Sequence, residues 1–245
     1  MKKPVCLITG VGSGTGASLA KRFATGGYQV AMLARDRERL KSLEKEIESV
    51  KAYSCDISDL NALLETVKSV QIEMGTPSVL IHNAVSATFK PFLEADPEDL
   101  ERNFRVNTTT LLYLARALAP AMITAGHGAI IVTGNTAALR GIPTYAVFAP
   151  TKAAQRILAQ SLARDLGPKG VHVAYITTDA AINAPWLGDD AQKPSWLKPP
   201  PGWKDKPEDY FAKPEAIADE VFHITHQDRS TWSFDHIIRP YAEKW

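Results

Sequence analysis

Cysteine is scarce. The chain has two, Cys6 and Cys55, both in stretches that read as strands. Two thiols make no disulfide framework and fit a reducing compartment. No apolar run approaches the ~20 residues that span a bilayer. The basic start, Met1-Lys2-Lys3-Pro4, leads into an apolar run too short for a signal peptide. These absences predict a cytoplasmic protein with no membrane partner. An excess of one charge is also missing. The 28 Lys and Arg against 27 Asp and Glu leave a net charge of +1, so bulk electrostatics give no reason to expect nucleic acid. No second His or Cys stands at ligand spacing from His82, which speaks against a metal. Repeats, low-complexity runs and linkers are not evident, so residues 1–245 are expected to form one domain. Hydrophobic content of 45% is ordinary for a chain that buries a full core.

What is present is organised around Thr9-Gly10-Val11-Gly12-Ser13-Gly14-Thr15-Gly16. A short apolar run, Val5-Cys6-Leu7-Ile8, precedes it and reads as a buried strand. After it, Ala17 to Phe23 carry apolar residues at helical spacing. Strand, glycine turn and helix form the setting that a phosphate-cradling loop requires. Glycine lets the chain turn with positive φ and lets a ligand come close. The free N–H groups and dipole of the next helix favour a pyrophosphate.

The rest alternates strand and helix. Strands are predicted at 28–33, 50–55, 78–82, 129–133, 171–176 and 232–238. Helices are predicted at 37–49, 59–74, 97–125, 144–166 and 214–226, with Asp36 and Asp96 as caps. Repeated βα units of this length predict an α/β fold, a single Rossmann-type doubly wound parallel sheet with helices on both faces. Residues 183–213 break the pattern, with six prolines and with Trp186, Trp196 and Trp203. A loop this long is functional or disordered, and tryptophans speak against disorder. The segment is read as a substrate lid.

The Thr-Gly-x-x-x-Gly-x-Gly spacing at Thr9, Gly10, Gly14 and Gly16 resembles the glycine motif of short-chain dehydrogenases/reductases. The resemblance covers nearly the whole chain. Cys55-Asp56-Ile57 resembles the family's adenine site, though Asp56 also reads as a turn residue. His82-Asn83-Ala84-Val85 is similar to the Asn-Asn-Ala-Gly stretch, keeping the second Asn and the Ala. Asn107 matches an Asn that in the family helps hold a water and the catalytic lysine. It is followed by three threonines, and all four are weak helix formers. Lys152 matches the lysine of Tyr-x-x-x-Lys. The resemblance implies cofactor contacts from Gly10, Ser13, Gly14, Thr15, Gly16, Arg35, Asp56, Ile57, Asn83, Ala84, Lys152, Asp179 and Ile182. It implies catalytic positions at Asn107, Asn135, Thr136, Phe148 and Lys152.

Two of those positions depart from the family. Phe148 stands where the motif has Tyr, and Asn135, with Thr136 beside it, stands where it has Ser. In the family the tyrosine hydroxyl moves the proton and the lysine lowers its pKa. Phenylalanine has no proton to give, and a minor branch of the family shares this feature. Tyr145 and Asp179 are the substitutes in reach.

The second strand ends Ala34-Arg35-Asp36. An NAD site usually has an acid at that strand end, whereas a guanidinium pairs with a 2′-phosphate. NADP is therefore expected over NAD. The helices carrying Asn107 and Lys152 form the dimer face in similar proteins, and Ala115, Ala117, Ala119 and Ala121 would allow close packing there. A homodimer or homotetramer is expected. Three readings stay open: an NAD(P)(H)-dependent oxidoreductase acting on a small carbonyl or alcohol, a dinucleotide-binding sensor or scaffold, and non-redox chemistry through Lys152 or Asp179.

Overall fold

The computed structural model describes residues 3–185, 202 and 205–242. Trp186, Trp196 and Trp203 lie outside them. Seven strands form one sheet: β1 (Val5–Thr9), β2 (Gln29–Ala34), β3 (Val50–Ser54), β4 (Pro77–His82), β5 (Gly128–Asn135), β6 (Val171–Thr178) and β7 (Asp235–Ile238). Their order is β3-β2-β1-β4-β5-β6-β7, with every pair parallel. The chain winds outward from β1 to β3, returns to the centre, and winds the other way from β4. That reversal opens a crevice beyond the carboxyl ends of β1 and β4, where ligands of doubly wound sheets bind. The expected doubly wound sheet is the one observed.

Period-two alternation sends neighbouring side chains of one strand to opposite cores. Val5 and Leu7 join Leu63 and Val67 of α3 (Leu60–Glu73), Leu111 and Leu114 of α5 (Thr110–Ala125), and Ala159 of α6 (Ala149–Leu166). Cys6 and Ile8 join Leu19 and Phe23 of α1 (Thr15–Thr25), Leu40 of α2 (Arg37–Glu46), and Ile217 and Val221 of α7 (Pro214–Thr225). Helices thus cover both faces. Each such Leu, Ile or Phe, fully buried, contributes about 1.5–3 kcal/mol. Ala115 and Ala119 belong to the first core at 2% and 6% exposure. They pack inside the subunit and cannot make the intersubunit face assigned to them. The outward residues of α5 include Leu112 and Tyr113.

Local chemistry sets the helix starts. Asp36 accepts from the Arg39 N–H and Asp59 from the N–H groups of Asn61 and Ala62. Asp96 accepts from the Glu98 N–H ahead of α4 (Pro97–Phe104). Several predicted boundaries move. The 37–49 helix ends at Glu46, because Ile47 is extended and Ser49 turns into β3 at φ 64°. Cys55 falls just past β3. The 97–125 helix is interrupted by a π-helical turn, Arg105–Thr109, between α4 and α5. The 144–166 helix starts at Ala149, since Thr144 has φ 72° and residues 145–148 form a turn closed by the Phe148 N–H on the Tyr145 carbonyl at 3.0 Å. A 3₁₀ turn, Arg229–Thr231, delays the last strand to Asp235. Either side of the 183–213 segment, Ile182 and Ala212 pair as a parallel bridge. No helix among the described residues is long and apolar enough to cross a membrane.

Gly10 is where the fold and the glycine loop meet. Its φ is +72°, and a Cβ there would lie 2.5 Å from the Ala84 Cα. An L-residue in the left-handed region costs roughly 1–2 kcal/mol, and overpacking against backbone adds about 1–3 kcal/mol. Gly10→Ala is therefore expected to destabilise the protein by roughly 2–5 kcal/mol in urea unfolding. A change under ~1 kcal/mol would show that the loop relaxes freely.

Candidate active site

The loop after β1 is folded onto its neighbours. Gly10 donates its N–H to the Leu33 carbonyl at 2.8 Å, and Asn83 Nδ2 donates to the Gly10 carbonyl at 2.9 Å. A Cβ on Gly16 would lie 2.6 Å from that same carbonyl, so α1 can approach the loop only with glycine there. Unlike α2, α3 and α4, α1 begins without a side-chain cap, and its first turn holds no acid. Space above Gly12 is open, with nothing within 4 Å of where a Cβ would stand. At Gly14, the cap position, a Cβ would meet Ala184 Cβ at 3.1 Å, and an uncapped helix start beside an open loop suits a phosphate, which the helix dipole favours.

Arg35 is exposed just beyond β2. Asp36 beside it caps α2, while the Arg35 charge acts on Asp56. Asp56 accepts from the Ser58 N–H and hydroxyl at 3.0 and 2.8 Å. Burial pushes its carboxyl up, but the Ser58 bonds and the Arg35 charge outweigh it and hold it below the usual range. The turn role of Asp56 is thus present. Ile57 and Ala84 put their side chains in the core, and their backbone is tied to neighbouring elements, the Ile57 carbonyl accepting from the Thr110 hydroxyl at 3.0 Å and the Ala84 N–H donating to Thr9 Oγ1 at 3.4 Å. Asn83 clamps three strand ends, since it also accepts from the Thr133 hydroxyl at 3.1 Å. Asp179 joins β7 through its N–H on the Ile238 carbonyl, and Ile182 packs on the second core.

The expected catalytic positions converge at the carboxyl ends of β4 and β5. Lys152, 1% exposed, donates to the Thr133 carbonyl at 3.3 Å and to Gln155 Oε1. Desolvation pulls its amine down to about 7. Asn107 sits in the π turn and is fully enclosed. Its side chain donates to the Ser86 carbonyl and Thr151 hydroxyl and accepts from the Ser86 N–H, each at 2.9 Å. Its carbonyl accepts from Gln155 Nε2 at 2.6 Å and from His82 Nε2 at 3.3 Å. The extra residue of a π turn leaves a carbonyl aimed away from the regular helical ladder, which is what this contact needs.

Phe148 precedes α6 and is 2% exposed. It packs edge-on to Phe89 and Tyr145, at centroid distances of 5.2 and 5.7 Å, while Phe89 and Tyr145 stack at 4.8 Å. Asn135 ends β5 and accepts from the Ala137 N–H at 3.1 Å, starting the turn that contains Thr136. Tyr145 is half-buried, and burial raises its phenol above the ordinary value. It lies in a turn, not on the helix with Lys152, and this weakens it as a substitute acid.

The short chain dehydrogenase family matches residues 4–185. The chain belongs to that family. It is 32% identical to L-xylulose reductase of Mus musculus over 168 residues, 68% of this chain and 67% of the relative. It is 28% identical to L-xylulose reductase of Mesocricetus auratus over 230 residues, 92% of this chain and 90% of the relative. A metagenomic short-chain oxidoreductase solved in complex with NADP superposes with a TM-score of 0.80 at 26% identity, covering 97% of each chain.

Two residues of this short chain dehydrogenase site escape a sequence reading. Gln155 lies three positions after Lys152, on the same buried stripe of α6. A glutamine on an otherwise inward stripe was the available signal. His82 stands where the family stretch has its first Asn, and the sequence offers it no metal-ligand partner. Its Nε2 faces a carbonyl, so that nitrogen carries the proton, and Nδ1 accepts from the Thr9 hydroxyl at 3.0 Å. Desolvation, then the Lys152 charge, lowers His82 to about 4.

The sign of that shift gives a test. The unfolded chain binds the His82 proton below ~6.5, and the folded one only below about 4. Stability from this group is thus complete above pH ~6.5 and falls as pH drops through that window. The loss is on the order of 3 kcal/mol. His82→Gln keeps a donor for Asn107 and an acceptor for Thr9 but cannot titrate. Urea midpoints measured from pH 7 to 4 should fall less steeply for the variant. Parallel curves would contradict a buried neutral His82.

Proposed function

We propose that the protein is an NADP(H)-dependent oxidoreductase that moves a hydride to or from a small carbonyl or alcohol, with Lys152 in place of a tyrosine as the proton donor and acceptor. One observation carries this reading: a lysine amine is kept fully buried near the carboxyl end of β5 and, among the described residues, is held by neutral acceptors. A buried ion costs several kcal/mol, and holding a dinucleotide does not require it.

The loop from Gly10 to Gly16, with Ser13, Gly14 and Thr15 at the start of α1, would hold the pyrophosphate. Arg35 would pair with the 2′-phosphate, and the NADP complex of a solved relative supports that choice. Asp56, Ile57, Asn83, Ala84, Asp179 and Ile182 would complete the cofactor wall. When bound, the nicotinamide supplies or takes the hydride. Asn135 and Thr136 offer an amide and a hydroxyl to the substrate oxygen. Phe148 closes the pocket as an apolar wall that sheds water. Lys152, titrating near neutrality, gives the proton and takes it back, as a group with pKa close to working pH does best. Residues 183–213 are read as the lid over this pocket; 186–201, 203 and 204 lie outside the described residues, and Ile182 and Ala212 pair on either side. Exposed Leu112, Tyr113 and Ile157 on α5 and α6 support a homodimer or homotetramer.

The second reading, a cofactor-binding protein without turnover, draws on Phe148, whose aromatic cluster has replaced the acid. Cofactor oxidation with a broad carbonyl panel separates the two. Lys152→Ala is expected to lower kcat/KM by at least ~10²-fold while NADPH still binds. Phe148→Tyr is expected to retain turnover. Tight NADPH binding with no wild-type turnover would favour the second reading.

Cofactor choice is tested apart from turnover. NADPH should bind more tightly than NADH in fluorescence titration. Losing one charged hydrogen bond worth about 1.5–3 kcal/mol, Arg35→Ala should weaken NADPH by roughly 10- to 100-fold and NADH little. Tighter NADH binding by the wild type would reverse the assignment.

A further inference from the structure

We infer that Gln155 is the positioning residue for Lys152, a neutral amide that holds the Lys152 ammonium against Thr133 and is itself locked in orientation by the Asn107 carbonyl. Its role in turnover rests on the reading of Lys152 as proton donor, but its placement does not.

The chemistry of the partners fixes which way the amide faces. A lysine ammonium only donates and a backbone carbonyl only accepts. Gln155 lies between one of each, with Oε1 on Lys152 Nζ and Nε2 on the Asn107 carbonyl at 2.6 Å. A flipped amide would set N–H against N–H and oxygen against oxygen. Three elements therefore agree on one arrangement: the π turn supplies Asn107, β5 supplies Thr133, and α6 supplies both Lys152 and Gln155. The Gln155 side chain is fully buried and bridges Lys152 to the Asn107 carbonyl directly.

The groups facing Lys152 carry little charge of their own. His82 of β4 is neutral at working pH. From β6, the Tyr175 hydroxyl reaches Gln155 Oε1 at 3.5 Å, and burial keeps that phenol protonated. Asn107 and Thr133 are uncharged. The Arg156–Asp235 ion pair lies behind Tyr175 and acts on it with opposite signs. Desolvation pulls the Lys152 amine down, and its hydrogen-bond partners among the described residues are neutral. The Gln155 and Thr133 oxygens are what favour its charged form.

The test is a titration of ¹³Cε-labelled lysine by NMR, with Lys152 assigned by the signal lost in Lys152→Met. It needs neither cofactor nor substrate, so it reports on Gln155 even if no carbonyl is reduced. Gln155→Met keeps the length of the side chain and removes the acceptor. It should lower the Lys152 midpoint by about one to two pH units, the worth of one hydrogen bond to a charged group. Gln155→Glu puts a carboxylate on the amine and should raise the midpoint above that of wild type. In the wild type, the Gln155 side-chain amide resonances should move with the Lys152 midpoint, which requires no variant to fold. If the oxidoreductase reading also holds, the pH profile of kcat should shift in the same order, Met below Gln below Glu. A Lys152 midpoint unchanged in either folded variant, or Gln155 amide resonances that ignore the Lys152 titration, would overturn the inference.

Discussion

An amine taken out of water must find acceptors, and much of the site is built around giving them to Lys152. Thr133 offers its backbone carbonyl from near the end of β5, and Gln155 offers a side-chain oxygen from one turn along α6. Neither is anionic, so the amine keeps a proton it can also release. A carboxylate partner would have held the lysine charged through the neutral range. Gln155 must in turn place its own N–H, and it does so on the Asn107 carbonyl. That carbonyl is available because the long helix slips into a π turn at Arg105–Thr109. The irregularity of one helix, the polarity of one amide and the state of one lysine are thus links of a single chain of requirements.

The fold was legible because its signals are repetitive. Alternating apolar runs and helical stripes recur along most of the chain, and each strand sends neighbouring residues into opposite cores. Capping was legible too, since Asp36, Asp59 and Asp96 act locally. Boundaries were less so. Thr144 is β-branched, yet it adopts φ 72°, a conformation its own chemistry disfavours. Only the tertiary setting holds it there, where its carbonyl receives the Lys90 N–H at 3.1 Å. The same limit applies to Ala115 and Ala119. Small side chains suit a tight helix contact, but sequence does not say whether that contact is with another subunit or with the chain's own sheet.

Within the site, the residues read from the glycine spacing and from Lys152 do come together. Those that were missed are neutral partners. Asn107 looked odd inside a helix, and the oddity was real: the segment is π-helical and its side chain is fully bonded. Gln155 and His82 gave weaker signals: Gln155 has Lys152 three positions away, but the carbonyl that orients its amide, like the partners of His82, is distant in the linear chain. Their partners are 48 residues away for Gln155 and 73 for His82 and Thr9.

The network has a direction, and the direction limits its chemistry. Thr9 donates to His82, His82 donates to the Asn107 carbonyl, and Gln155 donates to the same carbonyl while accepting from Lys152. Both paths end on the Asn107 oxygen, which has no proton to pass on. A proton leaving Lys152 therefore cannot run inward to His82 along these bonds. A buried polar network that stops at a carbonyl rigidifies without conducting. Here it holds the buried lysine in place.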